Sequence, residues 1–504
     1  MPYQHVCAVD LGSNSFRLLI GRVLGDQIYP LDGLKEPVRL AAGLGPDKIL
    51  DQASQARALE ALRRFNERLR GVAPDAVRAV ATNTLRVAKN SAEFLLEAEK
   101  ALGFPIEVIA GREEARLIYV GVAHSLPDPT RQQLVVDIGG GSTEFIIGRN
   151  FEPQHLESLY MGCVSHSLRY FPEGRITRAA LKEAELAAQQ QIEAISYAYR
   201  STGWDQTVGS SGSAKAICDV LELNGFSRSG ITRDALERLR NVMLKAGSID
   251  KLELEGLKAD RIPVFAGGFS IMSAVFREFD LEEMVFSEGA LRLGVLYDQL
   301  GRYHRKDLRD ATVATFTERY RVDMAQAQRV RETACRLFDG MFPGEQPEAV
   351  HEARRFLEWT AQLHEIGLSV AHVGYHKHTA YILANADMPG FSRMDQNRMA
   401  RLALAHRGKL ERVQALDRAS IDWAAILCLR LAVVVHRARM VRAEPPISVT
   451  REALGNSTVI LGHEWLHDSP LTAAALREEP DQWARVGRVL KIRTQRRQRE
   501  EERV

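Results

Sequence analysis

Asp137 sits where an apolar run, Leu134-Val135-Val136, meets the turn Ile138-Gly139-Gly140-Gly141-Ser142-Thr143; after Glu144, Phe145-Ile146-Ile147 leads away. Two apolar runs around a glycine-rich turn predict a β-hairpin. Glycines let the backbone approach a ligand closely, and successive N–H groups in such a turn form a nest for anions. An acid just before the turn is placed to hold a divalent cation against a phosphate. For one copy alone, a tight hairpin whose Asp merely stabilises its own turn explains the pattern equally well.

There is a second copy. Val9 to Gly21 matches Val136 to Gly148 without a gap, setting Asp10 on Asp137, Gly12 on Gly139 and Gly21 on Gly148. Packing alone does not explain a repeat so local and so polar at its centre. Two similar half-domains facing one another, each with a phosphate hairpin, do.

Two more residues have types suited to phosphate chemistry. In Arg112-Glu113-Glu114-Ala115-Arg116-Leu117-Ile118 the acids open a helix, where the helix dipole alone would favour them. Glu114 aligns with Ile118 and Gly121 on the inward face, whereas Glu113 lies beside Arg116 and can be held by it. An inward carboxylate near phosphates is a candidate general base for activating water. Arg86 follows the strand Val77–Ala81, with Thr82 as a candidate N-cap. It reads equally as a solvated surface arginine and as a ligand group at a strand's C-terminal end, where α/β sites lie.

The elements that must position these groups alternate between strand and helix over roughly the first 300 residues, the pattern of an α/β fold. Ala53–Leu69 and Arg178–Tyr199 have helical periodicity. Thr207–Lys215 reads as strand, turn and helix; Arg261–Gly268 as a strand into a glycine turn; Ser287–Val295 as a closing helix. Beyond about Arg302 the pattern is helical, and Ile447–Val504 reads as a small α+β cap containing the strand Ser457–Leu461. We therefore expect four domains, 1–125, 126–301, 302–445 and 446–504, since 504 residues exceed one ordinary core.

Composition excludes several classes. Hydrophobic residues at 45% and charged residues at 26% describe an ordinary globular chain. A net charge of +2, from 67 basic and 65 acidic residues, provides no global field for a polyanion, so nucleic acid is not an expected partner. Acidic ligands must be drawn by local clusters of Arg and Lys. Five scattered Cys without a CxxC pair argue for a reducing compartment. Trp423–Val435, broken by Arg430, reads as a buried helix, not a membrane span. The first strand follows the N-terminus directly, and a cytoplasmic location without a signal peptide is the expectation. The basic run Lys491–Arg503 reads as a solvated helix end. His463-Glu464-Trp465-Leu466-His467 spells the zinc-protease pattern HExxH, but a strand precedes it and Ser469-Pro470 truncates it, so we expect no zinc site. No GxxxxGK[ST] loop is present.

The order of hairpin, Gly111–Val122 helix, second hairpin, Val264–Gly268 turn and closing helix resembles the actin, Hsp70 and sugar-kinase superfamily. VDLGSNSFRLLI, TNTLR, GREEARLIYVGV, VDIGGGSTEFIIG, MGCVSHSLRYFP and GALRLGVLY are similar to the exopolyphosphatase and guanosine pentaphosphate phosphohydrolase family, and LHEIGLSVAHVGYHKHTAYIL extends the resemblance over nearly the whole chain. The resemblance implies duplicated actin-like (ribonuclease H-like) ATPase-fold domains, then an all-helical HD-like domain and a small α+β domain. It implies Glu114 as the catalytic carboxylate, with Arg86 on the phosphate. Asp137 and Glu144 become magnesium-associated acids, with Asp10 as a helper. Phosphate contacts fall on Ser13, Asn14, Ser15, the backbone of Gly139, Gly140, Gly141 and Ser142, and Gly212-Ser213. Arg22, Lys215 and Arg261 add charge along the phosphate path. Mg²⁺ is the implied cofactor, with a monovalent cation such as K⁺ as a second candidate, and a homodimer is the family-level expectation.

His351, His364-Glu365, His376, His378 and His406 are similar to the metal site of HD phosphohydrolases. Glu365 stands where the metal-binding Asp belongs, and the added methylene points to a retired site. The resulting expectation is an exopolyphosphatase that releases the terminal phosphate of inorganic polyphosphate. The alternative is a guanosine pentaphosphate (pppGpp) 5′-phosphohydrolase using the same residues. A small-molecule kinase of the same superfamily is more distant.

Overall fold

The computed structural model describes residues 4–24, 27–303, 308–344, 347–413, 416–417, 420–439, 444–452 and 456–495. Of the basic run Lys491–Arg503, expected as a helix end, residues 491–495 belong instead to the strand Leu490–Gln495, where pairing with a neighbouring strand overrides the charge pattern, and the remainder lies outside the described residues. The chain forms two compact units, Met1–Asp307 and Leu308–Val504.

Unit one holds two sheets of matching order. The first runs β3 (Gln27–Glu36), β2 (Phe16–Leu24), β1 (His5–Leu11), β4 (Val77–Ala81) and β5 (Ile106–Val108). The second runs β8 (Glu152–Leu159), β7 (Thr143–Arg149), β6 (Gln133–Ile138), β9 (Gln206–Ser210) and β11 (Glu283–Phe286), with the two-residue β10 (Ile231–Thr232) added at its edge. In each, three antiparallel strands continue into parallel ones: β1 beside β4 and β5, β6 beside β9 and β11. This duplication is the actin-like, ribonuclease H-like architecture, and it explains the gapless repeat. The repeated glycines share a structural cause, because the ladder slips by a bulge at Gly21 in β2 and at Gly148 in β7. A Cβ at Gly148 would come within 2.3 Å of the Tyr119 ring, so no side chain fits there.

Between the sheets cross the helices Gly111–Ala123 and Leu291–Tyr303. Leu117, Ile118 and Val122 of the first and Val295 and Leu296 of the second bury against Val80, Val135 and Val208 of the strands. Their backbones nearly touch: a Cβ at Gly121 would lie 2.2 Å from the Ala290 carbonyl oxygen, and one at Gly294 only 1.7 Å from that of Leu117. Behind the crossing, Asp298 accepts from Arg116 at 2.6 Å and from Arg78 at 2.7 Å, and Arg116 is bidentate to Glu113 at 2.8 Å. The expectation that Glu113 is held by Arg116 is thus met.

Arg261–Gly268 is not a strand. Ile262–Glu278 is one helix, with Arg261 at its N-cap position and Pro263 in its first turn. An apolar run of five residues fits either structure, and Pro at the helix start decides it. Gly267 meets the helix Cys163–Tyr170, where a Cβ would lie 2.4 Å from the Cys163 carbonyl. The pair therefore serves helix-on-helix packing. Gln206–Ser210 likewise passes into the helix Ser211–Leu223 with no intervening turn, through the left-handed Ser211 at φ 82°.

Unit two is helical, with a three-stranded sheet of β12 (Ile447–Arg451), β13 (Ser457–Gly462) and β14 (Leu490–Gln495). One apolar core spans Val313 to Leu490 and joins helices and sheet. Asp422–Val435 lies in this core, and its Arg430 is satisfied by a bidentate pair with Glu479 at 2.9 and 2.7 Å. Among the described residues no helix is long and apolar enough to cross a membrane. His364 and His406 are buried, each with Nδ1–H donated to a backbone carbonyl, while Glu365 pairs with Arg439. The His376 ring lies 6.2 Å from that of His406, while His351 is exposed and His378 half-buried. The HExxH segment is a five-residue helix, His463–His467, with both histidines exposed. All five cysteines are buried free thiols.

Candidate active site

The two hairpin turns face each other across a cavity of about 340 Å³. Its walls include Asp10, Ser13, Asn14 and Ser15 of the first hairpin, Asp137, Gly139, Gly140 and Ser142 of the second, and Glu114, Gly212, Lys215 and Arg261. The turns approach at backbone range: a Cβ at Gly140 would lie 2.9 Å from Ser13 Cβ and 3.0 Å from Asn14 N. The second turn is held from behind by the start of the helix Cys163–Tyr170, whose Cys163 and Val164 N–H groups donate to the Gly139 and Gly140 carbonyls at 2.9 and 3.0 Å. Gly139 N–H closes the turn on Ser142 O. The N–H groups of Gly140, Gly141 and Ser142 have no partner among the described residues, which is the state of an anion nest. Ser13 Oγ, in turn, accepts from Thr84 N–H and Oγ1–H.

Glu114 projects from the first turn of its helix into this cavity and is only 7% exposed. Arg86 lies behind it, donating from Nη1 to Glu114 Oε2 at 3.0 Å and to Ile109 O at 2.9 Å. It is neither a surface arginine nor a cavity wall; it orients the carboxylate, leaving Oε1 free for a water. Burial pushes Glu114 above the usual carboxylate range, and Arg86 pulls it back only in part.

Asp137 and Glu144 are directly opposed partners on β6 and β7. Two like charges at such a position repel. Burial first, then the neighbouring acids, pushes Asp137 up to about 7 and Glu144 well above its ordinary value. Asp10, raised by burial to about 6, keeps Oδ1 buried without a partner. Glu144 is steadied by Ser158 Oγ–H at 2.8 Å. The donor set is entirely oxygen, which suits a hard divalent cation. No group of three or more ligand-type side chains is already gathered among the described residues. Mg²⁺ needs only one or two carboxylates, the rest of its shell coming from water and phosphate, so the residues fit it.

Arg22 is not at this site. It pairs with His5 at the far end of the β1–β2 ladder and is exposed, six residues and roughly 20 Å along the strand from Phe16, where the turn ends. The arginine of this strand that does line the cavity is Arg17, the direct partner of Asp10. In the repeat Arg17 occupies the position of Glu144, a signal available in the sequence: one hairpin carries Asp–Glu, the other Asp–Arg. Arg292, from the closing helix, also lines the cavity. Arg17 is lowered to about 10 by burial and then by Arg292, so cations converge there without full compensation. Arg261 packs its guanidinium on Gly212, where a Cβ would lie 1.9 Å from Nη2. Ser213 lines a small adjoining hollow instead, and Gly141 packs against Asn83.

A glycine nest, converging arginines, buried acids and an oriented carboxylate are the parts that phosphoryl transfer to water requires. Comparisons with known proteins agree. Residues 19–303 match the model of the Ppx/GppA phosphatase family, and residues 308–480 match that of Ppx/GppA phosphatase, domain III. A guanosine-5′-triphosphate,3′-diphosphate pyrophosphatase of Aeromonas hydrophila is 37% identical over 486 residues, covering 95% of this chain and 97% of the relative. The protein of that name from Pseudoalteromonas translucida is 37% identical over 491 residues, covering 96% and 98%. Among solved structures, an exopolyphosphatase from Cytophaga hutchinsonii is similar with a TM-score of 0.55 at 24% identity, over 59% of this chain and 98% of that one. A Ppx/GppA family member from Aquifex aeolicus has a TM-score of 0.50 at 24% identity, over 60% and 99%; both support the fold. With both family models matched and full-length relatives at 37% identity, the chain belongs to the Ppx/GppA phosphatase family.

Proposed function

We propose that the protein hydrolyses the terminal phosphate of the 5′-triphosphate of pppGpp, releasing orthophosphate. Glu114 carries the hydrolytic reading: a buried carboxylate facing the cavity, with one oxygen fixed by Arg86 and the other free. The order of the two family activities expected from the sequence is reversed here, because full-length relatives bear the pppGpp name.

In this reading the N–H groups of Gly140, Gly141 and Ser142 bind the terminal phosphate oxygens, and the facing Ser13–Ser15 turn encloses them. Arg17, Arg261 and Arg292 neutralise the phosphates behind it. Asp137 and Glu144, with Asp10 as a further oxygen, would hold Mg²⁺, which supplies charge neutralisation at the phosphate oxygens. Glu114 Oε1 accepts the proton of the attacking water while Arg86 keeps Oε2 in place. Burial favours this step, since it raises the proton affinity of Glu114. Little covalent help is needed; positioning and charge do the work.

Long inorganic polyphosphate is the second reading, favoured by Arg17, Arg261 and Arg292, which would serve a chain of phosphates as well. Phosphate release from pppGpp and from long polyphosphate, measured side by side with Mg²⁺ and no acceptor, tests both. A higher kcat/KM on pppGpp is expected. A higher value on polyphosphate reverses the assignment, and phosphate transfer to a sugar or carboxylate without release to water replaces hydrolase by kinase.

A further inference from the structure

On the lip of the phosphate cavity stands an acid that no phosphate would favour. Glu288 lines the opening with its side chain 83% exposed, one turn removed from Arg292 in sequence and ion-paired at 3.2 Å with Lys215, the lysine expected to contact phosphate. Beneath that pair lies Phe286, the one aromatic side chain among the described residues lining the cavity, half-buried, with Lys215 Nζ 5.0 Å from its ring centroid. An exposed Lys–Glu pair ordinarily contributes little to stability. At the mouth of a polyanion site its acid is a liability unless it recognises something.

The backbone that carries Glu288 is fixed. Ser287 N–H donates to Gly209 O at 3.0 Å, and Ser287 Oγ meets Ser125 Oγ at 2.7 Å. Gly289 N–H donates to Ser287 Oγ at 3.1 Å, and Ser210 Oγ–H donates to Gly289 O at 3.0 Å. Gly289 is pressed on the neighbouring helix, where a Cβ would lie 2.2 Å from the Gly121 carbonyl oxygen. A solvent-facing carboxylate on a backbone pinned from both sides is a preorganised acceptor.

We propose that Glu288, with Phe286 and Lys215, forms a guanine-reading subsite on the lip of the phosphate cavity. Guanine offers two adjacent donors, N1–H and the N2 amine, which a carboxylate accepts together as a bidentate pair. Adenine offers a bare N1 lone pair at that edge and would face Glu288 acceptor to acceptor. Phe286 supplies the flat apolar face on which a base stacks, and Lys215 adds a cation beside it. When the base engages Glu288, Lys215 is freed from its ion pair and becomes available to the nucleotide's phosphates. A bare polyphosphate has no donors to give Glu288 and meets only its negative charge. This inference rests on the nucleotide reading above and deepens it by placing the choice of base on three side chains.

The test uses the full chain with Mg²⁺ and three substrates: pppGpp, its adenosine counterpart pppApp, and inorganic tripolyphosphate. The wild type should prefer pppGpp to pppApp through KM. Glu288→Gln should raise KM for pppGpp by about tenfold or more, the size of one bidentate base contact, with kcat little changed. The same variant should lower KM for tripolyphosphate, because the lip loses a negative charge, and Glu288→Asp should restore part of the guanine preference. Phe286→Leu, which keeps an apolar side chain but removes the flat ring, should raise KM for pppGpp and pppApp alike. If Glu288→Gln lowers KM for pppGpp as it does for tripolyphosphate, the residue only repels phosphate and the subsite is refuted. Equal losses on pppGpp and tripolyphosphate would make it a structural residue. A wild type that cleaves tripolyphosphate but not pppGpp overturns the nucleotide reading itself, and does so before any variant is made.

Discussion

Replacing Gly140 with alanine adds one methyl where the two phosphate hairpins meet. Its Cβ would lie 2.9 Å from Ser13 Cβ, 3.0 Å from Asn14 N and 3.2 Å from Ser13 C. Two of those atoms are backbone, and no rotamer change removes them. Non-bonded carbon atoms rest about 3.5–4.0 Å apart, so the hairpins must separate by roughly 0.5–1 Å. Overpacking of this size costs about 1–3 kcal/mol of stability. The functional cost is larger in proportion, because the nest and the facing serines must grip one phosphate together, and a misplacement near 1 Å can lower the rate by about 10²-fold. Gly340→Ala is the matched control. Gly340 lies in the helix Met324–Met341, where the nearest atom to an added Cβ is Val449 O at 3.9 Å. That change should leave phosphate release untouched and be neutral or stabilising, since Gly in a helix costs about 0.5–1 kcal/mol relative to Ala. Steady-state phosphate release and thermal melts on both variants decide the matter. A Gly140→Ala enzyme with wild-type kcat/KM would refute the facing-hairpin geometry.

Arg17→Gln should raise KM for pppGpp by about tenfold or more, the worth of a hydrogen bond to a charged group, whereas Arg22→Gln should leave it unchanged; equal effects would return Arg22 to the phosphate path. Chelation of divalent metal should stop phosphate release while the far-UV spectrum stays folded, and activity that persists in excess EDTA would remove Asp137 and Glu144 from a metal role. His166, in the helix that holds the second hairpin, is lowered by burial to about 4. The unfolded chain takes up that proton near pH 6.5 and the folded chain does not. Its contribution to stability is therefore complete above about pH 6.5 and declines as the pH falls towards 4, by up to about 1.4 kcal/mol per pH unit. The melting temperature of the wild type should fall more steeply over that window than that of His166→Gln; parallel curves would show that His166 is protonated in the fold.

Much of the site was legible because the repeat is local. Asp10, Asp137 and both turns sit within thirteen-residue segments that align without a gap, and the fold repeats them as β1–β2 and β6–β7. Glu114 was legible from helical phase, which separates it from Glu113 by a rotation of about 100°. Arg22 failed because nearness along a strand is not nearness in space: a ladder carries each residue about 3.3 Å away from the turn. Arg17 was hidden by treating the two hairpins as equivalent, when they differ at that position, Glu144 in one and Arg17 in the other. Arg292 had no local signal at all, since only the crossing of two helices at Gly121 and Gly294 brings it to the cavity. Val264–Gly268 was misassigned because a short apolar run has no decisive period, and Pro263 carried the information. The choice between pppGpp and polyphosphate was not legible, because both would use one nest and one carboxylate; of the residues proposed to separate them, Phe286 precedes and Glu288 lies within Ser287–Val295, a stretch that reads simply as a closing helix although the helix begins only at Leu291.

The central claim is that Glu114 activates water, and the turnover number of Glu114→Gln tests it most directly. The amide keeps the shape and can still accept from Arg86, but it cannot take a proton. The Glu113→Gln variant separates chemistry from structure, because Glu113 is buried in a bidentate pair with Arg116 and its loss should lower the melting temperature while sparing turnover in the folded enzyme. For Glu114→Gln, kcat should fall by roughly 10²–10⁴, the range for loss of a general base, with substrate binding retained; its melting temperature should fall as that of Glu113→Gln does, because the pair with Arg86 is buried too. A fall of less than about tenfold in a folded, substrate-binding Glu114→Gln enzyme would contradict the account.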